Sequence, residues 1–165
     1  MAATIRPPGA NRDTEQFLAS CTGPSGCTAC RDACPHDAIK MLGPAWGVAE
    51  GTPFMEVDTS PCHWCEPKVC IDACDSNALT QVADTKLAAV ATVTLDLSEC
   101  LVSHGTLCTS CSDFCPTSVR AMTARGREPS LDTDACVGCG LCVWHCDAPG
   151  PALTIAPPTP AYRTR

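Results

Sequence analysis

The residues best equipped for chemistry are four cysteines near the C-terminal end, Cys136, Cys139, Cys142 and Cys146, spaced C-x2-C-x2-C-x3-C. Gaps of two residues let one tight loop bring three thiolates onto three irons of one [4Fe–4S] cube. In proteins with two such cubes the last cysteine of the run goes to the other one. Gly138 and Gly140 stand inside the run, where the missing Cβ permits unusual turns and close approach to the inorganic sulfides.

The remaining cysteines form three looser copies of this run. Cys21, Cys27, Cys30 and Cys34 read C-x5-C-x2-C-x3-C-P; Cys62, Cys65, Cys70 and Cys74 read C-x2-C-x4-C-x3-C; Cys100, Cys108, Cys111 and Cys115 read C-x7-C-x2-C-x3-C-P. All sixteen cysteines thus fall into four sets of four, each ending in C-x3-C, which predicts four [4Fe–4S] clusters. Structural zinc commonly uses two CxxC pairs separated by a longer loop, a poorer match to four ligands in one short run. A disulfide framework belongs to exported chains, and an isolated CxxC redox pair would leave the other cysteines unexplained. A Rieske centre needs histidines in place of cysteines, and no set lacks one. His63 and His145, each beside a ligand, are therefore expected to hydrogen-bond to a cluster or cover it. Trp64 and Trp144 are expected to pack the cluster pockets. No nucleophile–base pair, phosphate loop or nucleotide fingerprint is present, so the chain has electron sites and no evident substrate site: it reads as an electron carrier, not an enzyme.

The elements that must position these ligands recur with them. An aspartate (Asp58, Asp96 or Asp132) stands four residues before the first cysteine of the last three sets, a turn or cap residue rather than a catalytic acid. Behind each fourth cysteine comes a small residue followed by Ile39, Leu79, Met122 or Leu153, and successive first cysteines are 41, 38 and 36 residues apart. The chain is an internal repeat of strand, cluster loop, short helix and strand, with half-repeats at about 21–56, 57–94, 95–130 and 131–156. Residues 1–20 form an N-terminal lead-in, extended through residue 13 because Pro7 and Pro8 exclude helix. Asp13 to Ser20 then reads as a short capped helix delivering Cys21. Lys40-Met41 and Phe54 to Val57 read as strands flanking a Gly/Pro loop, Asp84 as a helix cap and Ala89 to Leu97 as a strand. The Pro-rich tail, 157–165, carries no periodicity and is expected to be extended or disordered.

Leu, Ile, Val and Phe make up only about a sixth of the chain, below the level of about 20% at which disorder is suspected. Inorganic clusters then take the place of much of the hydrocarbon core, and metal binding is largely folding free energy. The formal charge is −7; with about −2 added per loaded cubane site it falls to about −15. Such a surface suits a redox partner with a basic docking patch and argues against nucleic acid. No run of about 18 apolar residues is present, hence no transmembrane segment. No signal peptide is visible, so the expected location is the cytoplasm, with the periplasm as the alternative if a signal has been removed.

Several stretches carry a family resemblance. Arg6-Pro7-Pro8-Gly9-Ala10, Phe17-Leu18-Ala19-x-Cys21, Gly51-Thr52-Pro53-Phe54, Pro61-Cys62-x2-Cys65-x4-Cys70 and the third cysteine set resemble the ferredoxin-type proteins of the periplasmic nitrate reductase system, the NapF and NapG types, and the related MauM type. The resemblance spans about residues 5–156 and implies a protein with four [4Fe–4S] clusters that relays single electrons to or from a molybdoenzyme, such as a nitrate reductase, or a membrane quinol-oxidising subunit. The alternatives are a NapF-like accessory role, in maturing or loading the cluster of a molybdoenzyme apoprotein, and a structural metal-binding module. The expected fold is α+β: two ferredoxin-like units, each binding two cubes by cross-ligation. The second set also resembles its counterpart in four-cluster subunits of molybdenum oxidoreductases, where outer motifs pair and inner motifs pair. That nested arrangement groups Cys21, Cys27 and Cys30 with Cys146; Cys62, Cys65 and Cys70 with Cys115; Cys100, Cys108 and Cys111 with Cys74; and Cys136, Cys139 and Cys142 with Cys34. Sequential pairing is the alternative.

Overall fold

The computed structural model describes residues 5–81, 89–124 and 128–158. Among the described residues helices and strands are both present and all are short. The first helix, α1 (Thr14–Ser20), begins where the Asp13 side chain accepts a hydrogen bond from the Gln16 amide, the N-cap expected at that position. It stops at Cys21, whose own amide closes the last turn on the Phe17 carbonyl. Phe17 is fully buried, at 0% exposure.

Four single-turn helices follow, one in each cysteine run: α2 (Ala29–Asp32), α3 (Val69–Asp72), α4 (Ser110–Asp113) and α5 (Leu141–Trp144). Each carries the third cysteine of its set, and the fourth lies just beyond its end. The helices associate two by two, α2 against α3 and α4 against α5.

Three small antiparallel sheets tie the loops together. Strands β1 (Lys40–Met41) and β2 (Pro53–Phe54) pair across a Gly/Pro loop that is largely 3-10 helix. The predicted returning strand, Phe54 to Val57, is shorter than expected because Met55 pairs instead with Ile5 of the lead-in. Strand β3 (Thr92–Leu95) pairs with β6 (Leu153–Ala156) in the register Val93↔Ile155 and Leu95↔Leu153. This sheet joins the chain entering the third cysteine set to the chain leaving the fourth. Strands β4 (Met122–Thr123) and β5 (Ser130–Leu131) form the third sheet. The strand predicted over Ala89 to Leu97 is confined to β3, since Asp96 turns the chain by accepting from the Ser98 amide. Asp132 does the same for Asp134 and Ala135, as expected of the repeated aspartates. The helix cap expected at Asp84 lies outside the described residues.

The lead-in is more than an approach to the first cysteine. Ile5, Arg6, Pro7 and Pro8 are all buried, Ala10 pairs with Leu79, and the Thr80 amide donates to the Gly9 carbonyl. At the other end Pro158, in the Pro-rich tail, is buried; residues 159–165 lie outside the described residues. The apolar side chains gather in three clusters, and cysteines pack against every one of them. No helix among the described residues is long and apolar enough to cross a membrane.

Candidate metal centre

All sixteen cysteines are free thiols, and the helix pairs decide which of them meet. Because α2 lies against α3, the cysteine that follows each helix reaches the loop of the other. Cys34, Cys62, Cys65 and Cys70 line one cavity, together with His36, His63 and Trp64. Cys74 lies close enough to Cys21 and Cys30 to push both thiols up, and these three pack with Cys70 around Phe17, Ile71 and Leu79. The pair α4 and α5 repeats the arrangement. Cys100, Cys108, Cys111 and Cys146 line a second cavity, while Cys115 bears on Cys136, Cys139 and Cys142.

The nested grouping expected from the four-cluster subunits is therefore corrected. Cys74, not Cys146, faces the first set; Cys34, not Cys115, faces the second; Cys146, not Cys74, faces the third; and Cys115, not Cys34, faces the fourth. The physical reason is the packing of sequence-adjacent helices, α2 on α3 and α4 on α5, which carries each fourth cysteine toward its neighbour's loop.

One observation tests whether these residues fit [4Fe–4S] cubes: four thiols drawn from two runs stand around the walls of each of two cavities. Thiolate sulfurs are also the donor set that cubes use. The residues fit.

Burial shapes the electrostatics. It pushes the thiols of Cys30, Cys62 and Cys142 up to about 12, with neighbouring thiols adding to the shift in each case. For the same first reason Cys70, Cys111 and Cys139 are pushed up to about 11. Isolated thiolates are costly in such surroundings, so these positions favour metal-bound sulfur. Backbone amides already point at three sulfurs: Gly23 donates to Cys21 Sγ at 3.4 Å, Leu79 to Cys74 Sγ at 3.3 Å and Met122 to Cys115 Sγ at 3.5 Å. Hydrogen bonds to cluster sulfurs are one of the protein's levers on potential.

The residues flanking the ligands divide. His63 stacks on His36, ring centroids 3.6 Å apart and planes at 6°, so the two imidazoles wall the Cys34–Cys70 cavity as expected of a cover. Partial burial, then His36 and His145, hold the His63 pKa below its ordinary value. His145 stacks on Phe114 at 3.4 Å. Trp64 is buried in the cavity wall, with the Lys68 ammonium 4.6 Å from its ring centroid. Trp144 differs from expectation: it is 52% exposed, because α5 is one turn long and presents its last residue to solvent.

The glycines of the fourth run also act differently than expected. A Cβ at Gly138 would lie 2.1 Å from the Ala91 carbonyl oxygen, and one at Gly140 would lie 2.2 Å from that of Val57. The close approach they permit is to the backbone of earlier segments. It places the fourth loop against the second, where the Cys62 amide donates to the Cys139 carbonyl at 2.8 Å. Both cysteines are buried, at 9% and 8%, so the two halves of the molecule meet ligand to ligand. Sequence reasoning missed this junction; the Gly-x-Gly pattern was its only trace.

Comparison with known proteins agrees with this chemistry. A family model described as a 4Fe-4S binding domain matches residues 129–148. The ferredoxin-type protein NapG of Escherichia coli (strain K12) is 32% identical over 168 aligned positions, covering 93% of this chain and 70% of that protein. The methylamine utilization ferredoxin-type protein MauM of Methylorubrum extorquens is 31% identical, covering 94% of this chain and 74% of its own. The ferredoxin-type protein NapF of Escherichia coli (strain K12) is 28% identical, covering 86% and 79%. No solved structure matches the chain. With its thiol-lined cavities and these relatives, the chain belongs to the NapG/MauM family of ferredoxin-type iron–sulfur proteins, which bind [4Fe–4S] clusters and carry electrons rather than act as enzymes.

Proposed function

We propose that this chain holds four [4Fe–4S] clusters in two ferredoxin-like units and relays single electrons between a donor and a redox enzyme. The observation that carries the reading is the repeated cavity, in which a fourth cysteine from one run completes three from the adjacent run. In this reading Cys21, Cys27, Cys30 and Cys74 hold one cluster, and Cys34, Cys62, Cys65 and Cys70 hold the second. Cys100, Cys108, Cys111 and Cys146 hold the third, and Cys115, Cys136, Cys139 and Cys142 the fourth. When bound, a cubane supplies reversible one-electron storage without bond making or breaking.

The chain's own residues do the rest. The thiols grip, the amides of Gly23, Leu79 and Met122 orient three of the sulfurs, and His36, His63 and Trp64 line the wall of one cavity. The hydrogen bond from the Cys62 amide to the Cys139 carbonyl holds the loops of the second and fourth runs together. The acidic surface favours a partner with a basic docking patch. A molybdoenzyme or a quinol-oxidising subunit suits the role, in the cytoplasm or the periplasm. The test is iron and acid-labile sulfide per chain in anaerobically purified protein, followed by low-temperature EPR during reduction. About sixteen of each, with signals from four reducible clusters, is the expected result; zinc in their place overturns the reading.

A further inference from the structure

We infer that the exposed rings at the ends of α4 and α5, Phe114 and Trp144, form the face on which the redox partner docks, and that this partner brings basic side chains around an apolar surface. This deepens the electron-relay proposal and rests on it. The internal repeat marks the two positions. One residue before the fourth cysteine stand Ala33 and Ala73 in the first two runs, but Phe114 and His145 in the last two. Two residues before it stand Asp32, Asp72 and Asp113, and then Trp144. The pair α2 and α3 packs through the same single-turn helices with only alanine and aspartate at those places. The rings on α4 and α5 are therefore not what a helix pair needs in order to form.

Both rings reach the surface on adjoining elements. Phe114 caps α4 and Trp144 ends α5, and these two helices pack on each other. The Phe114 ring lies flat on that of His145, the residue after Trp144, with centroids 3.4 Å apart and planes at 5°. Phe114 is nevertheless 45% exposed and Trp144 52%. One exposed apolar residue is ordinary; two large rings on adjoining helix ends are the aromatic anchors that protein interfaces favour. Phe114 directly precedes Cys115 and His145 directly precedes Cys146, ligands of the fourth and third clusters in the relay proposal. A partner seated on the rings thus stands beside two clusters. Charge selects that partner. Between residues 100 and 123 and between 136 and 156 the fixed charges are Asp113, Asp147 and Arg120. Asp113 adjoins Phe114 and accepts from the Thr109 hydroxyl at 2.7 Å, and Asp147 follows Cys146 and accepts from the Ser110 hydroxyl at 3.3 Å. Both carboxylates are exposed. Arg120 lies beyond Cys115 and donates to the Thr117 carbonyl, and Lys68 is held over the Trp64 ring beside α3. Carboxylates flanking the rings draw a basic partner and oppose a second copy of this chain, because a twofold contact sets the same carboxylates against each other.

The experiment follows reduction of a basic c-type cytochrome, with lysines around its exposed haem edge, by the loaded full chain after dithionite reduction and removal of excess reductant. One electron passes from a reduced cubane to a ferric haem, and no bond forms or breaks. Stopped-flow absorbance gives the second-order rate constant for wild type, Phe114→Ala, Trp144→Asn, the double variant Asp113→Asn/Asp147→Asn, and Val48→Ser. Val48 is 86% exposed on the loop between β1 and β2, away from α4 and α5 in the chain. Iron and sulfide are counted first on every sample, and ferricyanide, an oxidant too small to dock, replaces the cytochrome in a parallel run. Phe114→Ala and Trp144→Asn are each expected to slow cytochrome reduction about tenfold, the size of a lost interface anchor, with their ferricyanide rates and both rates of Val48→Ser within about twofold of wild type. The aspartate double variant is expected to flatten the dependence of the cytochrome rate on ionic strength. Equal cytochrome rates in fully loaded wild type and ring variants overturn the docking face, as does a loss shared by ferricyanide, which places the effect in the clusters. Should a ring variant fail to load, the aspartate variant still decides: an unchanged salt dependence overturns the assignment. Wild-type self-association in sedimentation that Trp144→Asn abolishes gives the face to a second copy, and likewise overturns it. A wild-type count well short of about sixteen irons overturns the relay proposal itself, whereas a full count with unchanged variant rates overturns only the docking face.

Discussion

At the scale of single residues, backbone geometry and buried thiols govern how the sites assemble. Gly138 has a positive φ of 68° and lies against the Ala91 backbone, while Gly26 has a φ of 90° and open space, with nothing within 4 Å of where a Cβ would stand. Gly26→Ala therefore meets only the left-handed backbone cost, about 1–2 kcal/mol, and should keep its full iron content. Gly138→Ala must also displace Ala91, and should lose at least one cluster, about four irons per chain. Trp64 occupies the position equivalent to Gly138 and has a φ of 50°. Trp64→Gly would relieve about 1–2 kcal/mol of backbone strain but delete a buried aromatic worth about 3–5 kcal/mol. The larger effect wins, so thermal melting of the loaded protein should shift to lower temperature. The thiols of Cys30, Cys62 and Cys142 are raised to about 12 in the metal-free chain, so they are protonated at neutral pH and must each release a proton on ligation. Rising pH therefore favours assembly and falling pH opposes it. Reconstitution of metal-free protein with iron and sulfide should be more complete at about pH 8.5 than at about pH 6.5, as followed by visible absorbance; equal yields would count against the burial of these thiols.

At the scale of elements, the packing of single-turn helices chooses the partners. Helix α2 meets α3 and α4 meets α5, so Cys34 shares a cavity with Cys65 and Cys146 shares one with Cys108. The double variant Cys34→Ser/Cys65→Ser removes two ligands of one cluster and should lose about four irons, with three EPR-active clusters left. A nested arrangement would place those two cysteines on different clusters, and the same variant would then lose about eight. The sequence alone could not choose between the two outcomes, because each run ends in the same C-x3-C and carries no mark of its partner. What was legible was the existence of the helices and the cap at Asp13; strand lengths were not, because pairing with Ile5 and the turn at Asp96 cut them short.

At the scale of the whole molecule, the cysteines are part of the core. Each of the three apolar clusters includes cysteines or has cysteines packed against it, and the largest side chains of the buried interior are few. The metal-free chain is expected to melt without a cooperative transition, and the loaded chain with one, as read by circular dichroism and calorimetry on matched anaerobic samples. A sharp, native-like melt of the metal-free protein would mean that the hydrocarbon core suffices by itself. Cohesion between the halves has a second source in the contact of the fourth loop with the second, through Gly138, Gly140 and the Cys62–Cys139 hydrogen bond. The buried lead-in adds a third, since Ile5 and Ala10 pair with Met55 and Leu79.

By itself the sequence determined the chemistry expected of this protein: sixteen cysteines fall into four sets of four, each ending in C-x3-C. Those properties are local, because a cubane loop is built from neighbours along the chain and its spacing is set by the size of the cluster. Only the tertiary structure decided which fourth cysteine reaches which loop, that the halves meet through Cys62 and Cys139, and that Arg6 is buried on Phe17. Each of these depends on contacts between segments far apart in sequence, and the loss of chain entropy in making them is offset only when the whole set forms together.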